Sequence, residues 1–180
     1  KADGRLIMIE PDSTLSIIKV IPALLAKYLS EPYLQQPPPK STGRETFNPE
    51  FIAEELLLAT QDRSFIPDLI ATLTEFTVVA SVNAIRQCLF RYRIDSSRLI
   101  LCGGGAYNSL IFERLTEMLK KQHVDVECAD TLGVNSKLIE AHAFAFFAYM
   151  FCHRKPLDLG HSTGSDRPSI LGCLNPKCED

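Results

Sequence analysis

The segment Arg98-Leu-Ile-Leu-Cys-Gly-Gly-Gly-Ala-Tyr-Asn108 constrains this chain more than any other. A short, continuously apolar run from Arg98 to Cys102 that ends in Gly103-Gly104-Gly105 has the pattern of a strand buried on both faces. Leu110, Ile111, Leu115, Met118 and Leu119 then recur at helical spacing, which predicts an amphipathic helix over Tyr107 to Lys121 with basic residues in its last turn. Val124 to Cys128 reads as a second strand. A strand–helix–strand unit of about 30 residues demands parallel pairing and a right-handed crossover. The rest of the chain has to pack around that unit.

Three glycines between a buried strand and a helix let the backbone turn sharply and bring its N–H groups close to a ligand. The helix N-terminus adds partial positive charge there. A side chain on Gly103, Gly104 or Gly105 would block that approach, so the segment predicts a phosphate or nucleotide ligand. Gly103-x-Gly105 followed by an acid at the end of the second strand, Glu127 or Asp130, also partly fits a dinucleotide fingerprint. That fit would make the chain an NAD(P)-binding oxidoreductase domain. Asn108 stands where the fingerprint wants its third glycine, and its amide can instead reach a ribose or base edge or cap the helix.

With 46% hydrophobic residues, ten Phe and five Tyr among 180 residues, the chain can bury enough surface to offset its conformational entropy. A formal net charge of −3 speaks against a nucleic-acid partner. The densest apolar run, Ala143 to Cys152, is about half of the roughly 20 residues of a membrane span, so no membrane is expected. Cys88, Cys102, Cys128 and Cys152 lie inside apolar patterns, where a thiol behaves as a small hydrophobe. No C-x-x-C pair occurs, and the spacing of Cys152, His153, Cys173 and Cys178 is unlike that of zinc knuckles, so no metal site is expected. A reducing, cytoplasmic location is the simplest reading.

Upstream of the glycines the chain reads as helical. Leu15, Ile18, Ile21, Leu24, Leu25 and Tyr28 predict a helix over Ser13 to Leu29, capped by Ser13 and kinked or divided at Pro22. Pro32 and Pro37-Pro38-Pro39 make Glu31 to Phe47 a loop. Asn48 suits an N-cap and Pro49 a first helical residue for Pro49 to Ala59. A long helix is predicted from Ser64 or Ile66 to about Tyr92, with Ile66, Leu69, Ile70, Leu73, Phe76, Ala80 and Ala84 on its apolar stripe. Its Thr77-Val78-Val79 stretch forms helix poorly, so packing has to hold it. Downstream, Asp130 to Gly133 is a turn, and a helix from Asn135 or Ser136 to about His153 is apolar nearly all round and therefore expected to be central. Pro156 to Pro168 reads as loop and Ser169 to Leu174 as a final short strand. The fold class is α/β, with several helices packed on a small, mainly parallel sheet. Too few strands, and an opening Lys-Ala-Asp-Gly without Met or signal pattern, suggest a piece of something longer.

Two further candidate sites follow. The loop Pro37 to Phe47 is dense in donors (Lys40, Ser41, Thr42, Arg44), but its Gly43 follows the Lys-Ser-Thr rather than preceding it, which excludes a Walker loop. A solvated linker has the same composition. Glu140 sits in the first turn of the apolar helix, where a carboxylate stabilises a helix N-terminus or finds a partner such as a sugar hydroxyl. His142 reads as a core or edge histidine, and Ser162-Thr-Gly164 as a weak loop signal.

Taken in order, Asp3-Gly4, Pro38-Pro-Lys-Ser-Thr-Gly-Arg-Glu-Thr-Phe47, Ala71-Thr-Leu-Thr74, Cys102-Gly-Gly-Gly-Ala-Tyr-Asn108, Glu140-Ala-His-Ala-Phe-Ala145 and Leu171-Gly172 with Pro176 resemble the C-terminal half of the anhydro-N-acetylmuramic acid kinases. These belong to the sugar kinase/actin/heat-shock ATPase superfamily. The resemblance implies a partial ribonuclease H-like (actin-like ATPase) C-terminal lobe forming a single domain over residues 1–180. It also implies a reaction: ATP, with magnesium, phosphorylates 1,6-anhydro-N-acetylmuramic acid on O6 while water opens the anhydro bridge. By motif, Gly103, Gly104, Gly105 and Asn108 would line the nucleotide cleft and Glu140 would hold sugar hydroxyls. Lys40, Ser41, Thr42 and Arg44 would belong to a family-specific loop. The family's catalytic aspartate segment and phosphate loop lie upstream of Asp3 in this resemblance, so an N-terminal kinase lobe is the implied partner and the chain alone is expected to be inactive. A non-catalytic regulatory remnant is the rival reading, and a homodimer is left open.

Overall fold

A computed structural model of the chain describes residues 18–38 and 40–175. The predicted cap Ser13 and the motif residues Asp3, Gly4, Pro39 and Pro176 lie outside them, as does Cys178.

Pro22 begins a helix instead of kinking one: α1 is Pro22–Leu29, with the proline in the first turn, where its missing N–H leaves nothing unpaired. The segment before it is fastened to the long helix by side chains. Lys19 N–H donates to Asp68 Oδ1 at 2.8 Å and Ile21 N–H to Thr72 Oγ1 at 2.9 Å. The predicted loop over residues 31–47 contains one turn of helix, α2 (Pro32–Gln35), whose Tyr33 N–H donates to the Glu31 carboxylate. Asn48 caps as expected, accepting from Phe51 N–H at 2.9 Å. It starts a 3-10 turn, Pro49–Ile52, that runs into α3, Ala53–Gln61.

The long helix forms where the periodicity put it: α4 is Phe65–Tyr92. At about 1.5 Å per residue it is roughly 42 Å long. Its buried side chains are Leu69, Thr72, Val78 and Val82, not the single stripe read from the sequence, and Ile66 and Ile70 are exposed. The helix packs at two heights on two partners, which rotates the buried face along its length. Near its first half, Tyr28 of α1 meets Phe51 and Phe76 at ring-centroid distances of 5.2 and 5.6 Å, and Phe47 meets Phe51 at 5.3 Å. Toward its second half, Val78 and Val82 join Leu115, Leu119 and Val124 in the main core. Val78 is fully buried, so packing does hold the β-branched stretch. By length and composition alone α4 could cross a membrane, although scattered charged residues interrupt its apolar run. Its buried residues, and the ion pair that joins Glu75 to Arg114 at 2.7 Å, make it the packing axis of this fold.

The strand–helix–strand unit is present: β1 (Ser97–Leu101), α5 (Ser109–Leu119) and β2 (Val124–Cys128). The strands are parallel, in register from Ser97↔Val124 to Leu101↔Cys128. Leu99, Leu101 and Val126 face the core. Arg98 and Ile100 do not: contrary to the sequence reading, the second face of β1 is uncovered among the described residues, with Ile100 44% exposed. α6 (Ile139–Cys152) departs further from expectation. It was to be central, yet none of its residues is buried and Phe144 is 71% exposed. The C-terminal segment lies along it, with the Phe151 ring 3.4 Å from where a Gly172 Cβ would stand. Among the described residues the predicted last strand is reduced to one antiparallel bridge, Leu157↔Ser169. The loop before it holds a short helix, α7 (Gly160–Thr163). Cys88 and Cys128 are half-buried thiols, whereas Cys102 and Cys152 are exposed rather than packed as small hydrophobes.

Candidate functional site

The carboxyl ends of β1 and β2 lie side by side, the edge at which open parallel sheets take their ligands. After Leu101 the chain enters the glycines. Gly103 adopts φ 76°, ψ −173°, a conformation essentially restricted to glycine, and so turns the chain out of the strand. Gly104–Tyr107 form a 3-10 turn, and α5 starts only at Ser109. The predicted helix start at Tyr107 is thus two residues early.

Gly103 N–H is engaged, donating to the Ser136 carbonyl at 2.9 Å. Gly104 and Gly105 differ from it. Both are exposed, a Cβ on either would meet nothing within 4 Å, and among the described residues neither N–H donates to a protein acceptor. Asn108 spends its Oδ1 on Ile111 N–H at 3.2 Å, capping α5. Of the roles left open for that amide, the cap is the one the structure displays, and Nδ2 has no acceptor among the described residues.

Opposite the glycines stands a polar cluster that sequence reasoning missed except for Asp130. The 3-10 turn Ala129–Leu132 follows β2, and a second such turn, Ser136–Leu138, packs on Gly104–Tyr107. Tyr107 Oη donates to Asp130 Oδ1 at 3.1 Å, Cys128 Sγ to Asp130 Oδ2 at 3.0 Å, and the buried Ser136 hydroxyl to Asp130 Oδ2. These bonds, Cys128's first, hold the Asp130 carboxyl down to about 2. Partial desolvation, together with the bond to Asp130, pushes the Tyr107 phenol up. Lys137 Nζ lies 5.2 Å from the Tyr107 ring centroid. The signal available in the sequence was positional, since Asp130 and Ser136 follow the end of a predicted strand.

Glu140 is exposed in the first turn of α6, two residues beyond the turn that touches the glycines, so the fold carries it toward the same edge. The loop candidates are placed otherwise. Lys40 Nζ donates to the Tyr33 and Leu34 carbonyls at 3.0 and 3.1 Å, closing off α2. Thr42 Oγ1 donates to Thr46 Oγ1 at 2.8 Å, and Gly43 N–H to Glu45, which lowers that carboxyl. Ser41 and Arg44 are exposed, Arg44 beside Phe47, Asn48 and Ile52. These contacts all fall within the helical half. A surface depression lined by Arg86, Phe90, Arg93, Gln122 and His123 is at the opposite, amino edge of the strands. The carboxyl edge is the better candidate because there the open amides and the polar cluster coincide.

This is an α/β protein that presents unpaired main-chain amides at the carboxyl edge of a parallel strand pair. Residues 15–177 match the family described as anhydro-N-acetylmuramic acid kinase. The anhydro-N-acetylmuramic acid kinase of Vibrio vulnificus (strain YJ016) is 41% identical over 156 residues, covering 86% of this chain and 40% of the relative. Those of Actinobacillus pleuropneumoniae serotype 7 (strain AP76) and Burkholderia cenocepacia (strain J2315) are 39% and 38% identical over 165 and 157 residues, covering 88% and 86% of this chain and 41% and 40% of the relatives. The chain belongs to the anhydro-N-acetylmuramic acid kinase family. It spans about 40% of the length of the curated relatives it matches. The nicotinamide and regulatory-remnant readings find no support in these matches.

Proposed function

We propose that the chain is the C-terminal, actin-like lobe of a cytoplasmic sugar kinase that converts 1,6-anhydro-N-acetylmuramic acid, ATP and water to N-acetylmuramic acid 6-phosphate and ADP. The observation that carries this reading is the pair of open amides at Gly104 and Gly105 in a chain of this family. In the reaction, O6 of the sugar takes the γ-phosphoryl group, ADP leaves, and water adds where the anhydro bridge opens. This chain's share is positioning and charge stabilisation. Gly104 and Gly105 N–H donate to phosphate oxygens, Asn108 Nδ2 reaches the nucleotide, and Glu140 accepts from sugar hydroxyls. Lys40 and Thr42 shape their own loop rather than contacting substrate. The group that activates water, and the remaining phosphate contacts, would come from an N-terminal lobe. Magnesium would arrive on the nucleotide's phosphates. Among the described residues no three His, Cys, Asp or Glu side chains converge, so this chain does not fit the ion as a cage of its own, and no step is assigned to it.

The test is calorimetric titration of the chain with Mg-ADP beside Gly104→Val. The expected result is measurable heat for the native chain and none for the variant, whose side chain occupies the open space in front of the amides. Identical heats would remove the glycine turn from the mechanism.

A further inference from the structure

The polar cluster across from the glycines is not explained by the family's reaction, and it joins the two halves of the candidate site. Tyr107 is the last residue of the glycine turn, and its hydroxyl reaches Asp130 Oδ1 at 3.1 Å and Oδ2 at 3.2 Å. Asp130 also takes the hydroxyl of Ser136, a residue only 1% exposed. The carbonyl of that same Ser136 receives Gly103 N–H at 2.9 Å. One carboxylate therefore fastens the far end of the glycine turn directly and its near end through Ser136. Between those fastenings lie Gly104 and Gly105, both exposed and with open space where a Cβ would stand.

We propose that Asp130 is a positioning residue: its carboxylate, bridging Tyr107 and Ser136, latches the glycine turn and keeps the Gly104 and Gly105 amides facing outward for an anion. That the anion is a nucleotide phosphate rests on the proposed kinase reading; the latch itself does not. The physical reason for a latch is the glycines' own freedom. An unrestrained triple glycine samples many backbone states, and a ligand that requires one of them loses affinity in proportion to its population. The carboxylate is a strong choice because charge-assisted hydrogen bonds are about twice as strong as neutral ones. Tyr107 is half exposed and its ring keeps its place beside Lys137 without the hydroxyl, so its oxygen can be removed with little effect on the fold.

The experiment compares the native chain with Tyr107→Phe, Asp130→Asn and the double variant. Two readouts are taken: hydrogen exchange without ligand of the bonded amides of the glycine turn, Gly103 and Ala106, and Mg-ADP affinity. Each single variant is expected to speed exchange in the glycine turn about tenfold while residues 109–119 of α5 keep their protection, and to weaken ADP about tenfold. The double variant is expected to fall short of the sum of the two single variants, since both substitutions act on the Tyr107–Asp130 bond. Unchanged exchange in the turn with Asp130→Asn overturns the latch, as does a loss of protection spread equally over α5, the result expected of a merely structural residue. Faster exchange in the turn, in a chain that binds no ADP at all, leaves the latch standing and refutes the nucleotide reading.

Discussion

Replacing each of two neighbouring glycines with alanine should move stability in opposite directions. Gly103 has φ 76° and ψ −173°, where a Cβ is strained whatever the surrounding space. Holding a non-glycine residue there costs about 1–3 kcal/mol, offset by roughly 0.4–1 kcal/mol from the stiffer unfolded chain, which leaves Gly103→Ala about 1–2 kcal/mol less stable. Gly104 lies outside the left-handed region, and its Cβ would meet nothing within 4 Å. Only the unfolded-chain effect remains, so Gly104→Ala should be neutral or up to about 1 kcal/mol more stable. The two variants should therefore differ by about 2 kcal/mol. With a urea slope of 1–3 kcal/mol per molar, that is roughly a 1 M difference in unfolding midpoint by far-ultraviolet circular dichroism at unchanged slope. Coincident midpoints, or Gly104→Ala as the weaker variant, would refute the conformations assigned to the turn. The comparison also separates fold from function, because a stable Gly104 variant that no longer takes ADP cannot have lost it by unfolding.

Leu119 is fully buried between α5, α4 and β2, so Leu119→Ala should cost about 2–5 kcal/mol in thermal or urea unfolding, and a loss under 1 kcal/mol would mean that the site collapses or lies outside the core. The Asp130 carboxyl sits near 2 in the folded chain against about 3.9 in an unfolded one. Because the folded value is the lower, the stabilisation is complete above about pH 4 and disappears as the pH falls toward 2. Carbon-detected titration of the carboxylates should find Asp130 last to protonate, and an ordinary midpoint near 4 would show that the bonds from Cys128, Ser136 and Tyr107 are absent.

Local signals were legible wherever they were strong and short in range. The apolar run ending in three glycines gave β1, the turn and α5 in their correct order, and Asn48 and Pro49 marked a real helix start. What the sequence concealed was partnership. Nothing in the residues of α4 says that its first half meets α1 and its second half α5 and β2, so a single straight stripe was the natural expectation and Ile70 was misplaced. α6 carries an apolar residue at almost every position, which announces burial without naming what buries it, and among the described residues little does. At the site, Gly103 to Gly105 stood out because a glycine run has few other uses between a strand and a helix. Tyr107 and Ser136 were not, because their significance comes from meeting Asp130 across 23 and 6 residues of chain. The donor-rich loop illustrates the same point: Lys40 has the chemistry of a phosphate ligand, and its ammonium donates to the carbonyls of α2.

A single rod some forty ångströms long, α4, has the aromatic cluster of Tyr28, Phe51 and Phe76 at one station and the aliphatic core of Val82, Leu115 and Leu119 at another. Neither cluster can disperse without loosening the shaft they share. Melting should accordingly be cooperative across the whole length, and a slight tilt at the aromatic station would swing the far end through a larger arc, as a lever does.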